Sequence, residues 1–205
     1  MSDINWTTAL PVPSAMTFGL RTNSLDFASQ LSGVVQSVAM PGSRWIATLQ
    51  WAFLRRAEAD RIQSLLVQMR GRTNRLVLWN VARPTVLGVG GGSPLVNGAG
   101  QTGSTINIDG LPASTSNIYT YGDFLGIGGE LKMVTAPVNS NGSGQASVSF
   151  EPPLRAAPAD NSAIVTTQPT AKFMLMNNEV SWQHSNPMSV GAFEMQLAED
   201  VRGGV

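Results

Sequence analysis

Hydrophobic positions change period twice between residues 43 and 80, and that stretch organises the reading of the rest. In 44–52 Trp45, Ala47, Leu49 and Trp51 share one face, while Ile46, Thr48 and Gln50 share the other. That is the period of two expected of a half-buried strand. From about Arg55 the apolar positions shift to Ile62, Leu65, Leu66 and Met69, spaced i, i+3, i+4 and i+7 along one stripe of a helix. Glu58 and Asp60 in its early turns and Arg70 and Arg72 at its end follow the order the helix dipole favours. Gly71 is placed to take the left-handed conformation that closes a helix. A short apolar strand, 75–80 (RLVLWN), completes a strand–helix–strand unit.

The flanking stretches are read against this unit. Residues 1–22, rich in Pro, Ser and Thr, carry the scattered anchors Trp6, Leu10, Met16 and Phe18. They read either as an extended arm packing on a neighbouring subunit or as an irregular lead-in. Val34, Val35 and Val38 favour a strand, and Pro41-Gly42 marks a turn that would pair it with 44–52. After Asn80 the helical period disappears. Short β segments are expected at 104–108, 124–127, 131–136, 146–150 and 163–167, separated by Gly-, Asn- and Pro-rich turns. Residues 172–182 suggest a hairpin turning at Asn177-Asn178. In 191–199, Phe193, Met195 and Leu197 alternate with Glu194, Gln196 and Ala198.

The expected fold is therefore mainly β with one α-helix. A split β-barrel or sandwich, residues 1–82 plus 171–205, hosts a small antiparallel β-barrel formed by 83–170. The stretch 83–92 is the exposed kind of connection at which a domain inserts.

Composition narrows the function classes. The 205 residues hold 13 basic and 13 acidic side chains, a net charge of zero, which argues against a nucleic-acid-binding stripe. Charged residues are 13% of the chain, about half the usual ~25%, which suits a protein packed against neighbours. Cysteine is absent, so disulfide and thiolate chemistry are excluded. Residues 1–14 lack the basic and apolar regions of a secretory signal. No run approaches the ~20 apolar residues of a membrane helix. A soluble protein made in the cytoplasm is expected.

Reactive groups are few. Gly88–Ser93 (GVGGGS) lacks both the Gly-Lys-Ser/Thr sequence and the following helix that a phosphate loop needs, so it reads as a linker. His184 is the single histidine, and no G-x-S-x-G elbow accompanies it. With one histidine and no cysteine, a zinc site would rest on carboxylates that show no paired spacing. Asp109, Asp123, Glu130 and Glu151 sit at turns or strand ends, where a glycosidase pair has little support. Trp6, Trp45, Trp51, Trp79 and Trp182 fall in the host segments and read as packing. Only Tyr119, Tyr121, Phe124 and Phe150 could form a sugar-stacking platform in the insertion. No catalytic, cofactor-binding or metal-binding residue is assigned, and no enzyme activity or cofactor is expected.

The order of motifs has a counterpart. An N-terminal arm precedes Gly42-Ser43-Arg44-Trp45-Ile46-Ala47-Thr48-Leu49, a helix ending in Gly71-Arg72, and Leu76-Val77-Leu78-Trp79. The insertion then carries residues 97–103 (NGAGQTG), Gly122-Asp123-Phe124 and residues 131–136 (LKMVTA), and closes with Pro152-Pro153-Leu154-Arg155. This pattern resembles the distal tail proteins of long-tailed, T5-like bacteriophages, which combine a ring-forming domain with an inserted OB-type barrel. The resemblance implies a structural virion protein of the tail tip or baseplate. It implies a homohexameric ring joining the tail tube protein to the tip hub protein, assembled in the host cytoplasm. It carries over no catalytic residue. The competing expectations are a tail-tube or tail-terminator adaptor, and a carbohydrate-binding module that recognises a host-surface glycan.

Overall fold

The computed structural model describes residues 2–6, 10–179, 189–190 and 193–201. The protein is mainly β with one α-helix. The first segment runs β1 (Asp3–Asn5), β2 (Ala15–Arg21), β3 (Ser24–Ala28), β4 (Val35–Ala39), β5 (Arg44–Trp51), β6 (Leu54–Arg55), α1 (Arg56–Met69) and β7 (Arg75–Trp79). The middle of the chain gives β8 (Leu95–Val96), β9 (Gly103–Asp109), β10 (Phe124–Ile127), β11 (Glu130–Val134) and β12 (Ala146–Leu154). The return supplies β13 (Thr170–Leu175), β14 (Ser189–Val190) and β15 (Phe193–Glu199).

Six strands from the two ends of the chain form one sheet, in the order β1-β7-β13-β15-β5-β2. All neighbours are antiparallel except β1 and β7. The alternation read in 44–52 is observed: Trp45, Ala47, Leu49 and Trp51 are buried. Phe193, Met195 and Leu197 are buried beside them, and Ala198, expected on the outer face, is buried as well. In α1, Ala59, Ile62, Leu65, Leu66 and Met69 join the same core. Glu58 accepts the Arg55 N–H at 2.9 Å, satisfying one of the amides that a helix start leaves unpaired. The helix closes one residue earlier than read: Arg70, at φ 50°, is the first left-handed residue, and Gly71 follows at φ 62°.

The described strands of the first 22 residues belong to the subunit's own sheet. β1 and β2 form its two edges, Trp6 stacks on Trp51 at 6.2 Å, and Phe18 packs on Trp45 at 5.2 Å. β4 is a strand as read, but its partner is β3, with Leu25 opposite Val38. Pro41-Gly42 is therefore an irregularity within a continuing ribbon. β2 pairs with β5 from Arg21↔Arg44 inward, and β3 pairs with β4 beyond it. β13 does not form the expected hairpin: β7 and β15 occupy its two edges. Neither Asn177 nor Asn178 takes a positive φ, and the hairpin's second arm lies largely outside the described residues.

The middle segment forms a second sheet, β10-β11-β12-β9-β8. Gly128 and Gly129, at φ 57° and 79°, make the two-residue turn between β10 and β11. Residues 163–167 are not a regular strand. They alternate partners instead: Ile164 donates to the Pro94 carbonyl, whereas Val165 exchanges both backbone bonds with Gly126. One short stretch thus joins the two edges, β8 and β10, and closes the sheet into a small barrel. Its core contains Val96, Ile106, Ile108, Leu125, Ile127, Val148 and Phe150. Among the described residues no helix is long and apolar enough to cross a membrane.

Candidate functional site

The glycine-rich loop is a structural corner. Asp123 is buried and accepts the backbone N–H groups of Leu87 (2.7 Å), Gly88 (3.2 Å) and Thr120 (2.8 Å). Val89 and Gly90 donate to the carbonyls of Asn117 and Ile118. The amides of Gly88, Val89, Gly90 and Ser93 are thus already paired within the protein. Gly88 is required by this approach, because a Cβ there would lie 2.4 Å from the Ile118 oxygen. Replacing Asp123 with alanine strands three part-buried donors that faced a carboxylate. The expected loss is about 3–4 kcal/mol of stability, with a smaller loss for Asp123→Asn; urea unfolding of the two variants checks this.

No group of three or more potential metal ligands occurs among the described residues. His184 and Trp182 lie outside them. Of the aromatics weighed as a sugar platform, Tyr119, Phe124 and Phe150 are buried and only Tyr121 is exposed. Those three rings pack cores and cannot serve as a stacking surface.

Tyr119 stands out within the barrel. Its ring is fully buried, and its hydroxyl has no hydrogen-bond partner. Burial, helped by the Asp123 carboxylate, pushes its pKa up to about 12. Because the folded value exceeds the unfolded value of ~10, stability is retained below pH 10 and falls as the pH rises from 10 to 12, by about 2–3 kcal/mol in all. Tyr119→Phe is expected to abolish this alkaline component and to raise stability at neutral pH by about 1 kcal/mol, since an orphaned hydroxyl is removed. Guanidinium unfolding at pH 8 and pH 11 measures both effects.

A cleft of about 360 Å³ separates the barrel from the end of the large sheet. Its charges are matched. Arg75 meets Asp200 at 2.6 Å, Arg155 meets Glu199 at 2.7 Å, and Lys172 meets Asp3 at 2.7 Å. Behind it, buried Lys132 donates to Glu130 (2.6 Å) and to the Pro153 carbonyl (2.8 Å). Burial lowers the Lys132 pKa, and Glu130 opposes that shift. Glu199 also accepts the Trp45 backbone N–H at 3.0 Å, and the Trp45 indole donates to the Leu131 carbonyl at 2.8 Å. Each lining cation is held by a carboxylate, and this network fastens barrel to sheet.

The exposed feature is the β3–β4 ribbon. Every residue from 21 to 40 is exposed, yet the segment carries Leu25, Phe27, Leu31, Val34, Val35, Val38 and Met40. Leu31 at the tip is wholly exposed, and Phe27 is 57% exposed. Leu25 and Phe27 share one face with Val38, whereas the other face has Asp26 bonded to the Ser37 hydroxyl. The alternation of LDF against VVQSV signals strands, but Leu25, Phe27 and Leu31 were not singled out in the sequence because the pattern equally describes a half-buried pair. No known family model matches the chain, and a search of curated proteins returns no match.

Proposed function

We propose that this chain is a structural subunit of a bacteriophage tail, forming the distal-tail ring that joins the tail tube to the tip hub. The observation that supports this reading is the apolar ribbon projecting from the host sheet. A two-stranded hairpin without a third layer is marginal in water, and a contiguous apolar patch marks a contact surface. Its seven large apolar residues are each at least 40% exposed, and Leu25, Phe27 and Val38 stand together on one face.

A closed ring uses head-to-tail contacts, in which each subunit offers two different surfaces. The ribbon is one; the partner face lies elsewhere on a second copy. The matched charges of the junction fit a rigid building block, and catalysis has no part in this function. Light scattering after size exclusion, combined with negative-stain images of the purified chain, tests the proposal. A closed ring, hexameric by the sequence resemblance, is expected. A monodisperse monomer at high micromolar concentration overturns it.

A further inference from the structure

We propose that Asn141-Gly142 is a self-modification site, at which the asparagine cyclises to a succinimide and opens to aspartate or isoaspartate. The chain holds two Asn-Gly pairs, Asn97-Gly98 and Asn141-Gly142, and the fold treats them oppositely. Glycine leaves the nitrogen after an asparagine sterically open, so by sequence alone both would react. The site lies in the loop before β12, and the inference does not rest on ring formation.

The reaction needs the Gly142 nitrogen to reach the amide carbon of Asn141, and the loop favours that approach. The Asn141 Oδ1 accepts the Ser143 N–H at 2.9 Å. A bond to the residue two positions on folds the side chain back over its own following peptide, which brings the reacting atoms together. The same oxygen accepts the Gln145 N–H, also at 2.9 Å. Two amides therefore face the oxygen on which negative charge develops during attack, the arrangement of an oxyanion hole. The Gly142 N–H has no acceptor among the described residues, and Asn141 and Gly142 are both exposed. The loop is held in this form by the Asn141 N–H on the Gln145 carbonyl (2.8 Å) and the Gly144 N–H on the Asn141 carbonyl (3.0 Å).

Solvent base removes the Gly142 amide proton, the bond from Gly142 N to Asn141 Cγ forms, and the Cγ–Nδ2 bond breaks. Nδ2 takes up a proton and leaves as ammonia. Water then opens the ring on either side, with no change of oxidation state. The product adds one negative charge to a chain whose formal charge is zero. Opening at the main-chain carbonyl also reroutes the backbone through the side chain. Asn97 is held the other way. The Gly98 N–H donates to the Asp160 carboxylate at 2.7 Å, and a neighbouring anion disfavours loss of that proton. Gln101 meets the main-chain carbonyl of Asn97, and no donor among the described residues meets its Oδ1. Asn97 and Gly98 are also half-buried.

The test incubates the full chain at mildly alkaline pH, folded and in urea, and samples it over time. Peptide mass mapping follows the exchange of amide for carboxyl at each asparagine, and isoaspartate-specific methylation labels the isomerised product. In the folded protein Asn141 is expected to react at least tenfold faster than Asn97, and in urea the two rates converge. Gly142→Ala should slow the Asn141 reaction at least tenfold with the fold intact, since an added Cβ meets nothing nearer than Ser114 Oγ at 3.9 Å. Asp160→Ala should raise the Asn97 rate. An Asn141 that reacts only in urea, equal rates in the folded chain, a preference that persists in urea, or unchanged rates in either variant would each overturn the proposal.

Discussion

Replacing Phe27 and Leu31 together with serine is expected to dissociate the assembled protein into folded monomers. Both side chains stand on a ribbon whose residues are all exposed, so their loss leaves the core of the subunit intact. Surface changes of this kind usually shift stability by no more than ~0.5 kcal/mol. In the proposed ring, however, they are buried apolar anchors, and central anchors cost about 2 kcal/mol each when truncated. Together that is roughly a thousandfold rise in the dissociation constant. Sedimentation equilibrium of wild type and variant measures it, with circular dichroism confirming the fold. A variant that assembles as tightly as wild type would remove the ribbon from the interface.

Trp45→Ala is expected to produce the largest loss of subunit stability, about 4–6 kcal/mol. Truncating a buried Trp costs ~3–5 kcal/mol through lost burial and the cavity left behind, and an unpaired Leu131 carbonyl adds ~1 kcal/mol. The residue is 2% exposed and packs against Phe18 and, at 5.5 Å, against Phe124 of the barrel. Its loss therefore loosens the junction as well as the sheet. Trp45→Phe retains most of the contact and loses the indole bond, so its destabilisation should be well under half as large. Urea unfolding ranks the three proteins, and limited proteolysis at the 83–92 connection reports whether the barrel has loosened. Equal stability of the alanine variant and wild type would contradict this account.

Strand–helix–strand order was legible wherever one face of an element meets the core. Trp45 through Trp51, the stripe from Ile62 to Met69, and Phe193 to Leu197 all have the spacing that burial imposes. Pairing was less legible. Pro41-Gly42 looked like the turn of a hairpin, but the ribbon continues past it and reverses in the polar stretch after Ala28, where the Ser29 N–H meets the Val34 carbonyl. β1 is three residues long, too short for any period to show. Residues 163–167 have the composition of a strand, but alternating partners prevent a regular ladder.

The candidate contact surface was the hardest part to read. A strand such as Ser24–Ala28 looks the same in sequence whether or not a third layer covers it, and only the arrangement of the other elements shows that none of the described ones does. The role of Asp123 was hidden for a related reason. Its three donors come from residues 87, 88 and 120, a juxtaposition that only barrel closure creates.

The split origin of the large sheet also bears on how the chain is made. β7 must wait for β13, and β5 for β15, which emerge only after the whole barrel has been synthesised. A nascent chain halted before residue 170 would display two long unpaired strand edges beside an already contiguous barrel. Such edges are templates for mispairing, and distant partners of this kind slow folding. Production of this subunit should therefore be most vulnerable during translation, before β13 and β15 leave the ribosome.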